Sequence, residues 1–301
     1  MATNLKTPAA NKSPEGFPAP APAAPPLQPC PWLAAATLCQ REWVRFIRQR
    51  NRVFGAIGQP VIFWLLFGLG LGPSFRLPGS GDSQVSYREY FFPGSLMLIL
   101  LFTAIFATIS IIEDRREGFL QSVLVSPAPR WSMVLGKILG GTLIALVQGL
   151  VFLALAPTQG ISFSVLSFLA IVLFTFLSAL ALTALGFVMA WRLDSTQGFH
   201  AIMSVFLMPM WLLSGAFFPP PPWQAGMSLA QRGLFLVMQL NPLTYGVAGL
   251  RRLLYLSVET PPLAPGTPSL PVCWGVMLLF AAVTFALAWK ISAQRTTGDL
   301  L

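Results

Sequence analysis

The chain contains one histidine and three cysteines, and only 10% of its 301 residues are charged. A soluble domain is closer to a quarter charged, whereas 55% of these residues are hydrophobic and the mean hydropathy is +0.69. One globular core could not cover this much apolar surface, so the sequence predicts an integral membrane protein. The cysteines, Cys30, Cys39 and Cys273, do not have the spacing of a metal site, and we expect them to be inert.

Charge is absent from five long runs, which we interpret as membrane-spanning helices. The runs are Val53–Phe75, Phe91–Ile112, Ile138–Trp191, Ala201–Gln231 and Thr260–Trp289. A helix needs about 20 residues to cross the hydrocarbon core, so the third run, 54 residues long, holds two crossings. Turn residues at 157–160 separate them. The predicted fold is an all-α membrane protein with six spans, at about 53–74, 91–112, 138–157, 161–190, 199–218 and 271–290.

Lysine and arginine are distributed unevenly around these spans. Twelve flank one side and five flank the other, and the richer side is expected to be cytoplasmic. This predicts that both termini are cytoplasmic and that the net charge of +9 belongs to membrane flanks, with no nucleic-acid partner. Residues 1–31 are rich in proline and alanine and have no apolar core run. They are predicted to form a disordered cytoplasmic tail.

Residues 32–52 have the pattern of an amphipathic helix lying in the membrane interface. Arginines recur at helical spacing along one stripe, at Arg41, Arg45, Arg48 and Arg52. The opposite face carries Ala36, Cys39, Trp43, Phe46 and Ile47. A basic stripe opposite an aromatic one is typical of an interfacial helix that contacts lipid. The alternative is an ordinary positive flank of the first span.

The segment between the fifth and sixth spans predicts a re-entrant hairpin on the outer side, over 219–255. FPPPPW at 218–223 ends the fifth span, and Gly233–Leu250 is then free of charge for 18 residues. Asn241-Pro242 divides that run, with Asn as the N-cap and Pro in the first turn of a second helix. A seventh span is the alternative, but it would place Lys290 outside.

EDRREGFLQSVLVSPAPRW, at 113–131, concentrates charge between two apolar runs. The five consecutive charges predict that the second span ends at Ile112. Beyond them, one face of a short helix is apolar at Phe119, Leu120, Val123 and Leu124, and Pro127 closes that helix. A plain loop would account for the arginines but not for the acids, which contribute little to orientation. We therefore predict a docking surface for a cytoplasmic protein.

Two motifs, EDRREGFLQSVLVSPAPRWSMVLGK at 113–137 and NPLTYGVAGLRRLLY at 241–255, resemble the type-2 ATP-binding-cassette (ABC) permeases. The similarity covers about 32–295 and is closest to the drug-resistance efflux branch that includes the daunorubicin exporters. It implies a coupling helix at 113–125 that docks into an ATPase subunit. The implied coupling residues are Glu113, Asp114, Arg115, Arg116, Glu117, Phe119, Leu120 and Leu124. The implied residues of the outer hairpin are Asn241, Pro242, Tyr245 and Arg251.

No energy source is visible in the chain. It lacks the GxxxxGK[ST] signature of a P-loop, since Trp131 stands where the first glycine would be and Ile138 follows Lys137. The predicted spans contain no Asp, Glu, Lys or Arg, which a proton- or sodium-coupled carrier would normally place there. The expectation is therefore that ATP and magnesium are bound by P-loop ABC ATPase subunits, with no cofactor on this chain.

The resemblance further implies an exporter in a plasma membrane, of the bacterial inner-membrane type, built from two permease copies or from this chain and a paralogue. Apolar and aromatic spans favour a hydrophobic or amphipathic substrate, such as a drug-like, lipid or lipid-linked molecule. A passive channel, a secondary carrier and a membrane-embedded enzyme are the alternatives. An enzyme is least favoured, because one histidine and three scattered cysteines form no catalytic constellation.

Overall fold

The computed structural model describes residues 30–77, 85–221, 226–258 and 261–294. Within these ranges the chain forms ten α-helices and no strand. The helices are α1 (Pro31–Arg48), α2 (Arg50–Gly70), α3 (Tyr87–Arg116), α4 (Phe119–Leu124), α5 (Arg130–Leu153), α6 (Val165–Trp191), α7 (Thr196–Trp211), α8 (Leu229–Leu240), α9 (Pro242–Leu254) and α10 (Leu270–Ala293). The predicted tail lies outside the described residues, apart from its last two.

Six helices are long and apolar enough to cross a membrane, namely α2, α3, α5, α6, α10, and α7 together with the π-helical turn Leu212–Ala216 that extends it. This confirms the prediction of an all-α membrane protein with six spans. The remaining apolar pair, α8 and α9, is bent by 71° at Asn241. By length and composition that pair could count as a broken seventh span or as a re-entrant loop.

The third helix, α3, is the centre of the bundle, and it packs against α2, α5 and α6. Its buried side chains cover nearly its whole circumference from Tyr90 to Ile112, as expected of a helix with neighbours on all sides. The end of the bundle near α1 and α4 is called the charged end here, and the opposite end, near α8 and α9, the hairpin end.

Two differences from the predicted bounds concern the charged end. The helix that contains the second predicted span does not end at Ile112 but continues through the acids to Arg116. Those acids meet basic side chains of the protein instead of lipid, so the helix has no reason to stop. The predicted helix at 32–52 is divided at Gln49, and Arg52 therefore belongs to the first turn of α2.

Helices α1 and α5 approach each other closely because α5 has glycines where they meet. A Cβ atom added to Gly136 would lie 2.5 Å from the carbonyl oxygen of Ala35. One added to Gly140 would lie 2.8 Å from the Cβ of Glu42. Small residues four apart permit this kind of backbone contact between helices in membranes. The contact places the polar side chains of α1 directly over the end of α3.

Candidate functional site

The short helix α4 begins at a backbone break that only glycine adopts easily. Gly118 has φ of +75°, in the left-handed region. It separates α4 from the end of α3, so that the chain leaves the bundle axis after Glu117. The helix lasts six residues and ends at Leu124, and its C-cap Val125 lies two residues before Pro127. A short helix at 119–124 therefore exists where the sequence predicts one, although 113–116 belong to α3.

The apolar face of α4 is turned into the protein. Leu120 is only 1% exposed, and Phe119 lies beneath the guanidinium of Arg41, whose carbon is 3.7 Å from the ring centre. The exposed side of the segment carries Glu117, Gln121, Ser122 and Val125, and Val125 is 78% exposed. The expected contact of Leu120 with a partner is thus corrected: this side chain anchors α4 to the bundle and leaves other residues at the surface.

Asp114 is the centre of an ion-pair network at the charged end. Its carboxylate is completely buried. It accepts hydrogen bonds from Arg41 at 2.7 and 3.0 Å and from Arg45 at 2.6 Å. The Lys137 ammonium, on α5, is 2.5 Å away. The network therefore joins the end of α3 to α1 and to α5.

Two further acids extend this network. Glu42, buried on α1, accepts from Lys137 at 2.8 Å. Glu113 binds Arg45 at 2.7 Å and also pairs with Arg52. Burial opposes the charge of Arg45, but the carboxylates of Asp114 and Glu113 outweigh burial and raise the pKa of Arg45 above its ordinary value. Every buried charge here has a partner of opposite sign, which is the condition for burying charge.

The neighbouring arginines, Arg115 and Arg116, bind a different element. Arg115 donates to the carboxylate of Asp194 at 3.0 Å, and Arg116 donates to the Asp194 carbonyl at 3.0 Å. Asp194 lies in the link between α6 and α7. Glu113 and Asp114 thus pair with basic residues of other helices, and Arg115 and Arg116 bind Asp194. Side chains that follow one another along a helix point in different directions.

The basic stripe of α1 also differs from its prediction. Arg41, Arg45 and Arg52 face acids of the protein, and among these four arginines it is Arg48 that is exposed. Sequence reasoning missed Glu42 and Lys137 altogether. One signal was present, since Glu42 is the one acid among the basic residues of 32–52 and Lys137 immediately precedes a long charge-free run.

A cavity of about 290 Å³ lies between α4 and the start of α1. Its walls include Leu38, Phe119, Val123, Leu124 and Met133. Leu124, one of the predicted coupling residues, is therefore partly buried along this cavity. Along this cavity, Val123 and Leu124 of α4 therefore present apolar surface next to the exposed polar residues of the segment.

At the hairpin end, Asn241 has two functions in one side chain. Its oxygen accepts from the backbone N–H of Leu243 at 3.0 Å, which caps α9, and Pro242 is the first helical residue. This confirms the predicted helix start. Its amide nitrogen donates to the carbonyl of Met210 at 2.5 Å. Met210 lies two residues before the π-helical turn that begins at Leu212, so Asn241 binds the hairpin to α7.

The other predicted hairpin residues also make contacts within the protein. Tyr245 donates from its hydroxyl to the carbonyl of Gln239 at 3.0 Å, which ties α9 back to α8. Arg251 is buried and donates to main-chain carbonyls of Tyr90, on α3, and of Gly215, at the end of α7. The hairpin is therefore attached to two candidate spans by polar side chains.

Prolines explain why carbonyl oxygens near the hairpin need such partners. Pro219 and Pro221 have no N–H, so the helical donors for the carbonyls of Gly215 and Phe217 are missing. Tyr90 donates to Gly215 at 2.7 Å and Tyr87 donates to Phe217 at 2.9 Å. Backbone groups at membrane depth must be satisfied within the protein, and the tyrosines of α3 replace the missing donors.

Six apolar helices, with a short helix beside buried ion pairs at one end and a bent helix pair at the other, define the class of all-α multi-pass membrane proteins. The profile of the ABC-2 type transporter family matches residues 34–255, which is more than half of the chain. The chain belongs to that family. As such it is a membrane-spanning transport subunit and not itself an enzyme. No curated protein matches the chain closely enough to count as a relative.

Proposed function

We propose that this chain is the permease subunit of an ATP-driven exporter and that a separate ABC ATPase docks on α4. The family generally works with ABC ATPase partners, which supports the proposal. The main supporting observation is the way in which α4 is attached to the rest of the protein. A helix of six residues cannot be stable alone, yet here it is anchored by Leu120 and follows directly from the ion-pair network around Asp114.

In this geometry, a movement of α4 on ATPase binding can be transmitted to the helix bundle. A displacement of α4 is transmitted through Glu117 and Gly118 to the end of α3, where Asp114 binds α1 and α5 at once. Three elements must therefore follow any movement of the carboxylate. Since α3 is the central helix, the movement would reach the hairpin end along a rigid element. Asp114 and Leu120 are positioning residues in this proposal.

Direct contact with the ATPase is assigned to the exposed side of the segment. Gln121, Ser122 and Val125 are exposed on this side. Arg116 and Glu117 are exposed beside them, and Glu117 also pairs with Arg45 at 3.6 Å. In an interface of this kind, an apolar residue at the centre contributes most to affinity and charges at the rim fix the orientation. Val125 is the apolar residue with the greatest exposure in this segment, so it is the candidate anchor.

The remaining parts of the proposal concern cargo and placement. We assign ATP and magnesium to the partner ATPase, the chain to a plasma membrane with α1 and α4 on the cytoplasmic side, and a second copy or paralogue to the complete transporter. The cargo is proposed to be hydrophobic or amphipathic, because the candidate spans expose mainly Leu, Val and Phe outside the bundle core. Membership in an exporter branch that handles drug-like molecules is part of this proposal.

Co-purification with an ABC ATPase tests the docking site. The chain would be co-expressed with the P-loop ATPase encoded beside its gene, as the wild type and as Val125→Asp and Gln121→Arg. A charge introduced at an apolar interface centre should lower recovery of the ATPase by roughly tenfold or more. Val125→Thr, which keeps the shape without a charge, is the matched control and should retain binding.

The result also has a clear contrary outcome. If both charged variants recover the ATPase in full and export at the wild-type rate, α4 is not the docking surface. Membrane insertion is checked in parallel by the amount of each variant in the membrane fraction, which should not change because neither residue contacts the bundle core.

A further inference from the structure

One main-chain carbonyl at the hairpin end, that of Gly215, accepts two side-chain donors from different helices. The Tyr90 hydroxyl of α3 donates at 2.7 Å and the Arg251 guanidinium of α9 donates at 3.0 Å. Gly215 itself has φ of +75° inside the π-helical turn. The carbonyl therefore points out of the helix, to where both side chains reach it.

Arg251 is buried in an unusual way for an arginine. It is 2% exposed, and no carboxylate lies within ion-pair distance of it among the described residues. One of its nitrogens donates to the carbonyls of both Tyr90, at 3.1 Å, and Gly215. The guanidinium also lies over the Tyr90 ring, 4.0 Å from its centre. The charge thus depends on two carbonyl dipoles and one aromatic face.

The two carbonyls and the aromatic ring that support the Arg251 charge all lie outside α9, in two other elements. The ring and one carbonyl belong to α3, and the other carbonyl belongs to the turn that ends α7. If α9 moved away from them, the guanidinium would lose all three supports together, and an unpaired buried charge is costly. The contact is therefore either complete or broken, which is the behaviour of an element with two discrete arrangements.

We propose that Arg251 is a positioning residue that locks the hairpin against α3. It does so by its contacts with the ring and carbonyl of Tyr90 and with the carbonyl of Gly215. The inference rests on the proposed function, in which the hairpin end is the side where cargo leaves. Opening an exit beside the hairpin then requires Arg251 to leave the Gly215 carbonyl. The lock joins the elements that would have to separate, which are α3, the π-helical turn after α7, and α9.

The adjacent arginine supplies an internal control. Arg252 donates to the carbonyls of Pro268 and Thr267, at 2.6 and 2.8 Å, in the loop before α10. It is on the same helix and carries the same charge, but it contacts neither α3 nor the end of α7 through these bonds. A change at Arg252 therefore tests general loosening of α9 without removing the proposed lock.

The experiment measures how often the hairpin opens in the purified full-length protein. Met238 is the buried residue of α8, so a cysteine placed there by Met238→Cys, after replacement of the three native cysteines, reports opening by its rate of reaction with a maleimide. Arg251→Lys keeps the charge and loses the planar fork, Arg251→Gln removes the charge, and Tyr90→Phe removes the hydroxyl and keeps the ring.

Both Arg251 variants should raise the labelling rate by roughly tenfold or more, the change expected from losing a hydrogen bond to a charged donor. Tyr90→Phe should raise it by less, because the ring still supports the guanidinium, and Arg252→Ala should leave it unchanged. The proposal is overturned if Arg251→Lys and Tyr90→Phe both label at the parent rate, or if Arg252→Ala raises the rate as much as Arg251→Lys. Should Arg251→Gln fail to insert, the other two variants still decide the result.

Labelling of this cysteine requires no ATPase and no transport. A failure of ATPase docking on α4 would therefore leave the lock untouched, and a failure of the lock would leave the docking result untouched. Transport assays on the same variants then show whether a loosened hairpin changes export.

Discussion

The side chains of Arg41 and Asp114 are joined by two hydrogen bonds of 2.7 and 3.0 Å, although the residues are 73 positions apart in the chain. This parallel pair of bonds is the geometry in which arginine binds carboxylate most strongly. It connects the first helix to the end of the central one and so determines where α4 leaves the bundle.

Asp114→Asn should destabilise the protein strongly. The change leaves Arg41, Arg45 and Lys137 without their shared carboxylate, and breaking a buried ion pair costs about 3–5 kcal/mol. A lower midpoint of thermal unfolding in detergent is the expected measurement. Asp194→Asn is the control, because the Asp194 side chain is 90% exposed and exposed pairs contribute at most about 1 kcal/mol. Equal midpoints for both variants would contradict the network described here.

Leu120→Ala and Val125→Ala should affect different properties. Truncating the buried leucine should lower stability by about 2–5 kcal/mol, whereas truncating the exposed valine should change stability by less than about 0.5 kcal/mol. The measurement is thermal unfolding of both variants in the same detergent. A large effect at Val125 and none at Leu120 would show that α4 is turned the other way.

Gly140→Val should separate α1 from α5. An added Cβ meets Glu42 at 2.8 Å, so the helices must move apart and the Lys137–Glu42 pair must lengthen. Gly55→Val is the matched control, since that helical glycine has open space around it. We expect a lower unfolding midpoint and weaker ATPase recovery for Gly140→Val alone. Similar behaviour of both variants would attribute the effect to valine in a helix and not to the contact.

Asn241→Leu should impair transport while ATPase docking persists. The change removes the cap of α9, which is worth about 1 kcal/mol, and leaves the Met210 carbonyl without its donor. Asn241→Asp separates the two effects, because a carboxylate still caps the helix but cannot donate to Met210. Export and ATPase recovery are measured for both variants. Normal export by Asn241→Leu would show that the hairpin serves packing only.

The native cysteines provide a test of orientation. Cys30 is exposed beside α1, whereas Cys273 is buried at the start of α10. Burial, with Glu42 nearby, raises the pKa of the Cys39 thiol, so less of the reactive thiolate is present there at a given pH. We expect Cys30 to react first. In intact cells it should react with a membrane-permeant maleimide and not with an impermeant one; labelling by the impermeant reagent would place α1 outside.

The sequence by itself determined that this protein lies in a membrane and where its spans are. Charge-free runs such as Phe91–Ile112 leave no other place than the membrane for their residues, because length and hydropathy are properties of the chain alone. The sequence also predicted where helices begin and where the chain turns. Asn241-Pro242 predicted a helix start, and turn residues at 157–160 predicted a break that the structure has at Gly160, with φ of +70°.

Only the tertiary structure decided what the charges and polar side chains do. Glu113 and Asp114 read as surface acids, because the sequence does not show that Arg41 and Lys137 are brought to them by the close contact of α1 and α5. Leu120 belonged to the predicted apolar face of α4, but an amphipathic pattern does not say whether that face meets the bundle or a partner. The position of Arg251 likewise depends on the carbonyl of Gly215. Which side chains donate to that carbonyl is determined by helices distant in the chain, so the local sequence does not specify it.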